Sequence, residues 1–170
     1  RSVNPNFIRV EADEVTYNLH VMMRFDLERE IIHGNLLVAD LPSAWNERFE
    51  ADFGRRPSRI EDGVLQDIHW PAGLIGYFPT YTLGNIFSAQ IMAAAQQSGV
   101  GTPQQIRDGE FAPLLHWLRE NVHAFGRIYT SEALVEKASG KPVSEQYLVD
   151  SLYQRYGPLH GLSPDTPQLL

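Results

Sequence analysis

Residues 8–31 read IRVEADEVTYNLHVMMRFDLEREI, and the period of that stretch decides the fold class. Ile8, Ala12, Val15, Leu19, Met22, Met23, Leu27 and Ile31 recur at steps of three and four. Such steps place them on one face of a helix. Tyr17, Val21 and Phe25 widen that face, so the helix is expected to be buried on more than one side. His33-Gly34-Asn35 ends it, because glycine suits a left-handed closing residue.

The same period continues outward. Asp40-Leu41-Pro42-Ser43 opens a second helix, with Ser43 expected to cap residues 44–53 and Gly54 to close it. Residues 55–80 are irregular, broken by Pro57, Gly63, Pro71, Gly73, Gly76 and Pro79. They nevertheless hold Trp70, Tyr77 and Phe78, with Tyr81 just after, and long irregular segments of this kind are often functional. Further helices are expected over 82–97, from Thr102-Pro103 onward, over 111–125, over 131–139, and from Ser144 to Tyr156. No useful alternation of apolar and polar residues appears, so the expectation is an all-α array of six or seven helices.

Composition sets the outer limits. The chain has 170 residues, 43% hydrophobic and 21% charged, with 13 Gly and 11 Pro. These values are globular and exclude a collagen, a rod or a disordered tail. A net charge of −7 repels phosphate backbones and argues against general nucleic-acid binding. The densest basic spot, residues 54–59, reads as a solvated loop. There is no cysteine, hence no disulfide framework and no cysteine zinc site, which fits a cytoplasmic location. No apolar run reaches the ~18 residues of a membrane span. The first six residues carry neither an apolar leader nor an initiator Met, so a processed chain or a part of something longer is expected.

Three places could carry chemistry. Arg9 and Asp13 stand at i, i+4, which suits either a surface ion pair worth ~0.3–0.5 kcal/mol or an arginine aimed at a substrate carboxylate. Asp67 and His69, flanked by Gln66 and Trp70, suit either a solvated turn or a histidine whose tautomer a carboxylate fixes. Tyr77 and Tyr81 follow and offer donors for a developing oxyanion. Glu120 and His123 are three apart on a helix, but no second such pair exists, and they read as surface groups. No H-E-x-x-H, phosphate-loop or nucleophile-elbow motif is present.

Ile8-Arg9-Val10-Glu11-Ala12-Asp13 with Tyr17 following, then residues 63–70, then Gly76-Tyr77-Phe78-Pro79-Thr80-Tyr81-Thr82-Leu83-Gly84, together resemble the carboxypeptidase Taq family of zinc metallocarboxypeptidases. The resemblance runs across essentially the whole chain. It implies an elongated, helical, dimeric, cytoplasmic enzyme that removes C-terminal residues from peptides with broad specificity. It further implies that Zn2+ is held by an H-E-x-x-H helix and a later Glu, both lying before Arg1. The chain then corresponds to roughly the last third of the enzyme, with no metal ligand of its own and no activity by itself. Arg9 is implied to meet the substrate carboxylate. His69 is implied to stabilise the oxyanion, Asp67 to orient its ring, and Tyr77 or Tyr81 to add a hydrogen bond. A non-catalytic helical interaction module, or a subunit completing a site on another chain, stands as the alternative.

Overall fold

The computed structural model of the chain describes residues 3–162. Among them every regular element is helical: α1 (Tyr17–Ile32), α2 (Leu41–Phe53), α3 (Pro79–Gln97), α4 (Pro103–Asp108), α5 (Ala112–Asn121), α6 (Ser131–Ser139) and α7 (Gln146–Tyr156), with short 3-10 turns between. The expected all-α class and helix number hold. Two compact units divide between Leu83 and Gly84.

The first unit is built on α1 and α2. Met23 and Leu27 of α1 pack with Leu41, Trp45, Phe49 and Phe53 of α2, and Phe7, Leu19, Ile31, Val64 and Trp70 close over them. The α2 residues follow a step of four, so one stripe of that helix faces α1. Phe49 and Phe53 stack with their rings 4.3 Å apart. Gly54 takes the left-handed closing conformation at φ +66°.

Helix starts differ from the sequence reading. The first helix does not begin at Ile8: Arg9–Glu11 form a 3-10 turn, Ala12 is extended, and α1 starts at Tyr17. The cause is Asp13, whose carboxylate accepts from the N–H groups of Val15 and Thr16 and from the Thr16 hydroxyl. Aspartate bonding of this kind competes with a continuing helix and starts a new one. In the second helix Ser43 is not the cap: α2 begins at Leu41 with Pro42 in its first turn, and Ser43 Oγ donates to Glu47 at 3.0 Å.

The irregular stretch is tied down by side chains rather than by a ladder. Gln66 accepts from Arg9 N–H at 2.8 Å and donates to the carbonyls of Phe7 and Asp62, both at 2.9 Å. Glu28, buried on α1, accepts from Trp70 Nε1 at 2.8 Å and from Gly76 N–H at 2.7 Å.

In the second unit Gln90 plays the equivalent part. Its amide donates to Ser139 Oγ and to the carbonyls of Lys141 and Pro142, and its oxygen accepts from Ser144 N–H. These bonds fix the connection between α6 and α7. Gly101 precedes α4 at φ +68°, and a Cβ there would stand 3.0 Å from Leu114 Cδ1, so any side chain would be strained and would press on Leu114. The helix expected over residues 111–125 ends at Asn121, where Val122 leaves helical geometry, and a separate 3-10 turn covers His123–Phe125.

Candidate active site

The first unit gathers the five residues to which the family resemblance gives a role: Arg9, Asp67, His69, Tyr77 and Tyr81. Arg9 is placed by the 3-10 turn and by Gln66, which holds its backbone N–H. Asp67 and His69 follow Gln66 along the pinned loop. Tyr81 comes from the first turn of α3, just behind Pro79.

Asp67 sits between two guanidinium groups. Its Oδ1 accepts from Arg9 Nη2 at 2.7 Å and from Arg9 Nε at 3.1 Å. Its Oδ2 accepts from Arg24 Nε at 2.6 Å. Burial alone would push this carboxyl up, but the bonds and charges of Arg9 and Arg24 outweigh it and hold Asp67 below the usual carboxylate range.

Arg24 is fully buried on α1. Its Nη1 donates to the carbonyl of His20 at 2.8 Å, and its guanidinium lies 4.5 Å from the centre of the Trp45 ring. Burial pulls Arg24 down to about 10, against the opposing effect of Asp67, which leaves it charged at neutral pH. His20, also fully buried, is pulled down to about 4 by burial and by Arg24, and is neutral.

Arg9 gives the Nε/Nη2 side of its fork to Asp67 and donates from Nη1 to Tyr17 Oη at 3.1 Å. Its planar group also lies 4.9 Å from the centre of the Tyr81 ring, a cation–π contact. A guanidinium has five N–H donors. The structure commits one on each nitrogen among the described residues, so the end bearing Nη1 and Nη2 keeps a second hydrogen on each.

His69 bonds Tyr81 rather than Asp67. The Nε2–Oη distance is 2.9 Å, whereas Nδ1 stands 3.7 Å from Asp67 Oδ1 and makes no hydrogen bond. Asp67 therefore acts on the ring through its field alone, since its oxygens are taken by the two arginines. Burial first, with Arg9 and Arg24 behind it, moves His69 below its ordinary value, while Asp67 pulls the other way. Burial also holds the Tyr81 phenol up, so it remains protonated. Tyr77, half exposed, packs against both: its ring centre is 5.6 Å from that of His69 and 5.5 Å from that of Tyr81.

Arg24, Tyr17 and His20 were not among the residues expected at the site. A signal existed: His20, Arg24 and Glu28 recur every fourth residue along the buried face of α1, a polar column inside an otherwise apolar stripe. Asp13, offered by the sequence as an ion-pair partner of Arg9, instead accepts from the N–H groups of Val15 and Thr16 and from the Thr16 hydroxyl, just ahead of α1. Glu120 contacts His116 rather than His123, on the exposed surface.

One family profile covers almost the whole chain. The sequence profile of the carboxypeptidase Taq (M32) metallopeptidases matches residues 1–156. The chain belongs to that family. It is 43% identical to "Thermostable carboxypeptidase 1" of Thermus thermophilus over 94% of its own length. It is 37% identical to "Carboxypeptidase 1" of Bacillus subtilis, again over 94%. The fold superposes on the crystal structure of the M32 carboxypeptidase from Deinococcus radiodurans with a TM-score of 0.89 and 43% identity, covering 94% of this chain and 32% of that one. The chain spans about a third of the length of the curated relatives it matches.

The metal of a metallopeptidase finds no seat in the described residues. No group of three or more His, Cys, Asp or Glu side chains among them could hold an ion. Asp67 is saturated by guanidinium groups and His69 Nε2 by Tyr81. No third donor completes a set of the kind zinc requires. The described helices also include none long and apolar enough to cross a membrane.

Proposed function

We propose that this chain supplies the substrate-carboxylate and charge-stabilising side of a metallocarboxypeptidase site that removes C-terminal residues from peptides with broad specificity. One observation carries the reading: the Arg9–Asp67–Arg24 cluster stands beside the His69–Tyr81 pair in one unit. The first offers positive charge in a planar fork, and the second offers a neutral donor. These are the two needs of a peptide's last residue undergoing hydrolysis at its amide bond.

In this reading Asp67 grips the side of the Arg9 guanidinium and turns its Nη1/Nη2 end toward the terminal carboxylate, which two parallel hydrogen bonds then fix. Tyr17 holds Nη1 in plane. His69 and Tyr81 serve the carbonyl of the scissile bond. When His69 Nε2 donates to Tyr81 Oη, the phenol hydrogen is left to point at the carbonyl oxygen as negative charge grows there. Tyr77 packs over both rings and limits their rotation. The metal of the full-length enzyme, zinc in this proposal, belongs to residues outside these 170, and the isolated chain is inactive. The proposed setting is a dimeric enzyme of the cytoplasm, supported by a cysteine-free chain and by the exposed apolar side chains of Ile32, Leu37 and Val38.

The test is hydrolysis of a blocked dipeptide and of its C-terminal amide by the full-length polypeptide that carries this chain. Turnover of the acid with little or none of the amide is expected. Equal rates on both, or none on either, overturn the proposal.

A further inference from the structure

We propose that Arg24 is a positioning residue whose charge, acting through Asp67, leaves the Arg9–Asp67–Arg24 cluster one net positive charge and thereby sets the site's preference for a free C-terminal carboxylate. This rests on the reading of Arg9 given above and adds to it a residue that touches no substrate.

The argument is a charge count over buried groups. Arg9 and Asp67 alone would form a closed ion pair, 7% and 11% exposed at their side chains, with Nη2 and Oδ1 2.7 Å apart. A pair that neutralises itself has little left with which to draw a second carboxylate out of water. Arg24 changes the sum. Its Nε meets the other Asp67 oxygen at 2.6 Å, from a side chain with no exposure at all. One carboxylate then serves two guanidinium groups.

The other ionisable groups packed around them are engaged elsewhere than in an ion pair with these two guanidinium groups. His20, on α1 beside Arg24, is neutral. Tyr17 and Tyr81 are phenols that meet Arg9 by a hydrogen bond and by a ring face. His69 faces Asp67 at 3.7 Å without bonding it. The carboxylate of Glu28, one turn further along α1, keeps its charge, but its two oxygens are held by the neutral donors Trp70 Nε1 and Gly76 N–H and not by a guanidinium.

Geometry also decides which arginine receives the substrate. Arg24 is walled in by Trp45, with Phe78 5.7 Å away, and its Nη1 is held by the His20 carbonyl. Arg9, 7% exposed at its side chain against none for Arg24, lies 4.9 Å from the centre of the Tyr81 ring, on which the half-exposed Tyr77 packs. Arg24 therefore anchors Asp67 from below, and Arg9 keeps both its orientation and an unbalanced charge.

The experiment uses the full-length polypeptide and two probes, N-acetylphenylalanine and N-acetylphenylalaninamide, with Kd measured by titration calorimetry. The wild type is expected to favour the acid. Arg24→Met is expected to lose about tenfold or more of that ratio, the scale of one charge-assisted hydrogen bond. Arg24→Lys, which keeps the charge, should retain most of it. Arg24→Met combined with Asp67→Asn should regain it, because Arg9 is then unneutralised. A purely structural role for Arg24 would leave the double variant as poor as the single one.

An unchanged ratio in Arg24→Met, or no recovery in the double variant, overturns the role of Arg24. If Arg24→Met does not fold, Arg24→Gln, which keeps a neutral donor for Asp67, decides: its ratio should fall about tenfold, and an unchanged ratio overturns the role. A wild type without acid preference instead overturns the reading of Arg9.

Discussion

Arg24 Nε lies 2.6 Å from Asp67 Oδ2, and the two residues stand 43 positions apart in the chain. This contact joins the buried face of α1 to the loop that carries His69. It makes Asp67 the point on which the fold and the site both depend.

Replacing Asp67 with Ala should therefore be costly to stability. It leaves two buried guanidinium groups without their counter-charge. Breaking a buried pair in this way typically costs about 3–5 kcal/mol. Urea titration of wild type and variant at pH 7 measures it, and a loss below about 1 kcal/mol would contradict the buried-charge account.

Arg9→Lys should raise KM for free-acid peptides in the full-length enzyme by about tenfold or more, with a smaller effect on kcat. An ammonium cannot grip Asp67 along one edge while offering a two-pronged end to the substrate. Steady-state kinetics on a blocked dipeptide checks the split between the two constants.

Tyr81→Phe should act in the opposite way, lowering kcat with KM little changed. The ring that packs against Arg9 and His69 is kept, and only the hydroxyl on His69 Nε2 is lost. One donor to a developing oxyanion typically contributes about 10²–10³ in rate. An unchanged kcat would remove Tyr81 from the mechanism.

Stability should fall in mild acid because of His20. Its ordinary value is ~6.5, and burial with Arg24 beside it brings the folded value to about 4. Below about pH 6.5 the unfolded chain binds a proton that the folded chain refuses. Stability is thus complete above pH 6.5, declines between 6.5 and 4, and levels off below, for a loss on the order of 3 kcal/mol. His20→Phe, which keeps an aromatic ring against Phe49 and Phe53, should flatten that decline. Urea midpoints at pH 7 and pH 4.5 compare the two.

The 170-residue chain should hold no stoichiometric zinc and hydrolyse no peptide. Exposed histidines such as His116, which meets Glu120 at 3.2 Å, offer no more than weak binding. Elemental analysis after dialysis against trace zinc, with a C-terminal hydrolysis assay alongside, checks both. One tightly held zinc per chain with turnover would contradict it.

The helices were legible in the sequence because their signal is local: steps of three and four, a proline at a start, a glycine at an end. The start of α1 was not, since the apolar steps run on through Ile8 and Ala12 while the Asp13 carboxylate, by capping Val15 and Thr16, restarts the chain behind them. The site was half legible. Asp67 and His69 drew notice by lying two residues apart, and they do face each other at 3.7 Å, but the bonds of Asp67 go elsewhere. Asp67 bonds Arg9, 58 positions away, and Arg24, 43 positions away, and no period or spacing encodes pairings across such distances. Arg24 itself was hidden in a helix read for its apolar residues. Its four-residue offsets from His20 and Glu28 are what mark it.

The amide of Gln66 has one more consequence, for how this protein ages. That nitrogen gives both of its described bonds to backbone carbonyls, of Phe7 and of Asp62. Hydrolytic loss of ammonia would put a negatively charged oxygen where the donor stood, facing two acceptors at contact distance. The residue would then repel the segment it now holds, and Arg9, two positions beyond Phe7, would be released with it. A one-dalton chemical change at Gln66 would thus disable carboxylate recognition while leaving every residue drawn into the site chemically intact.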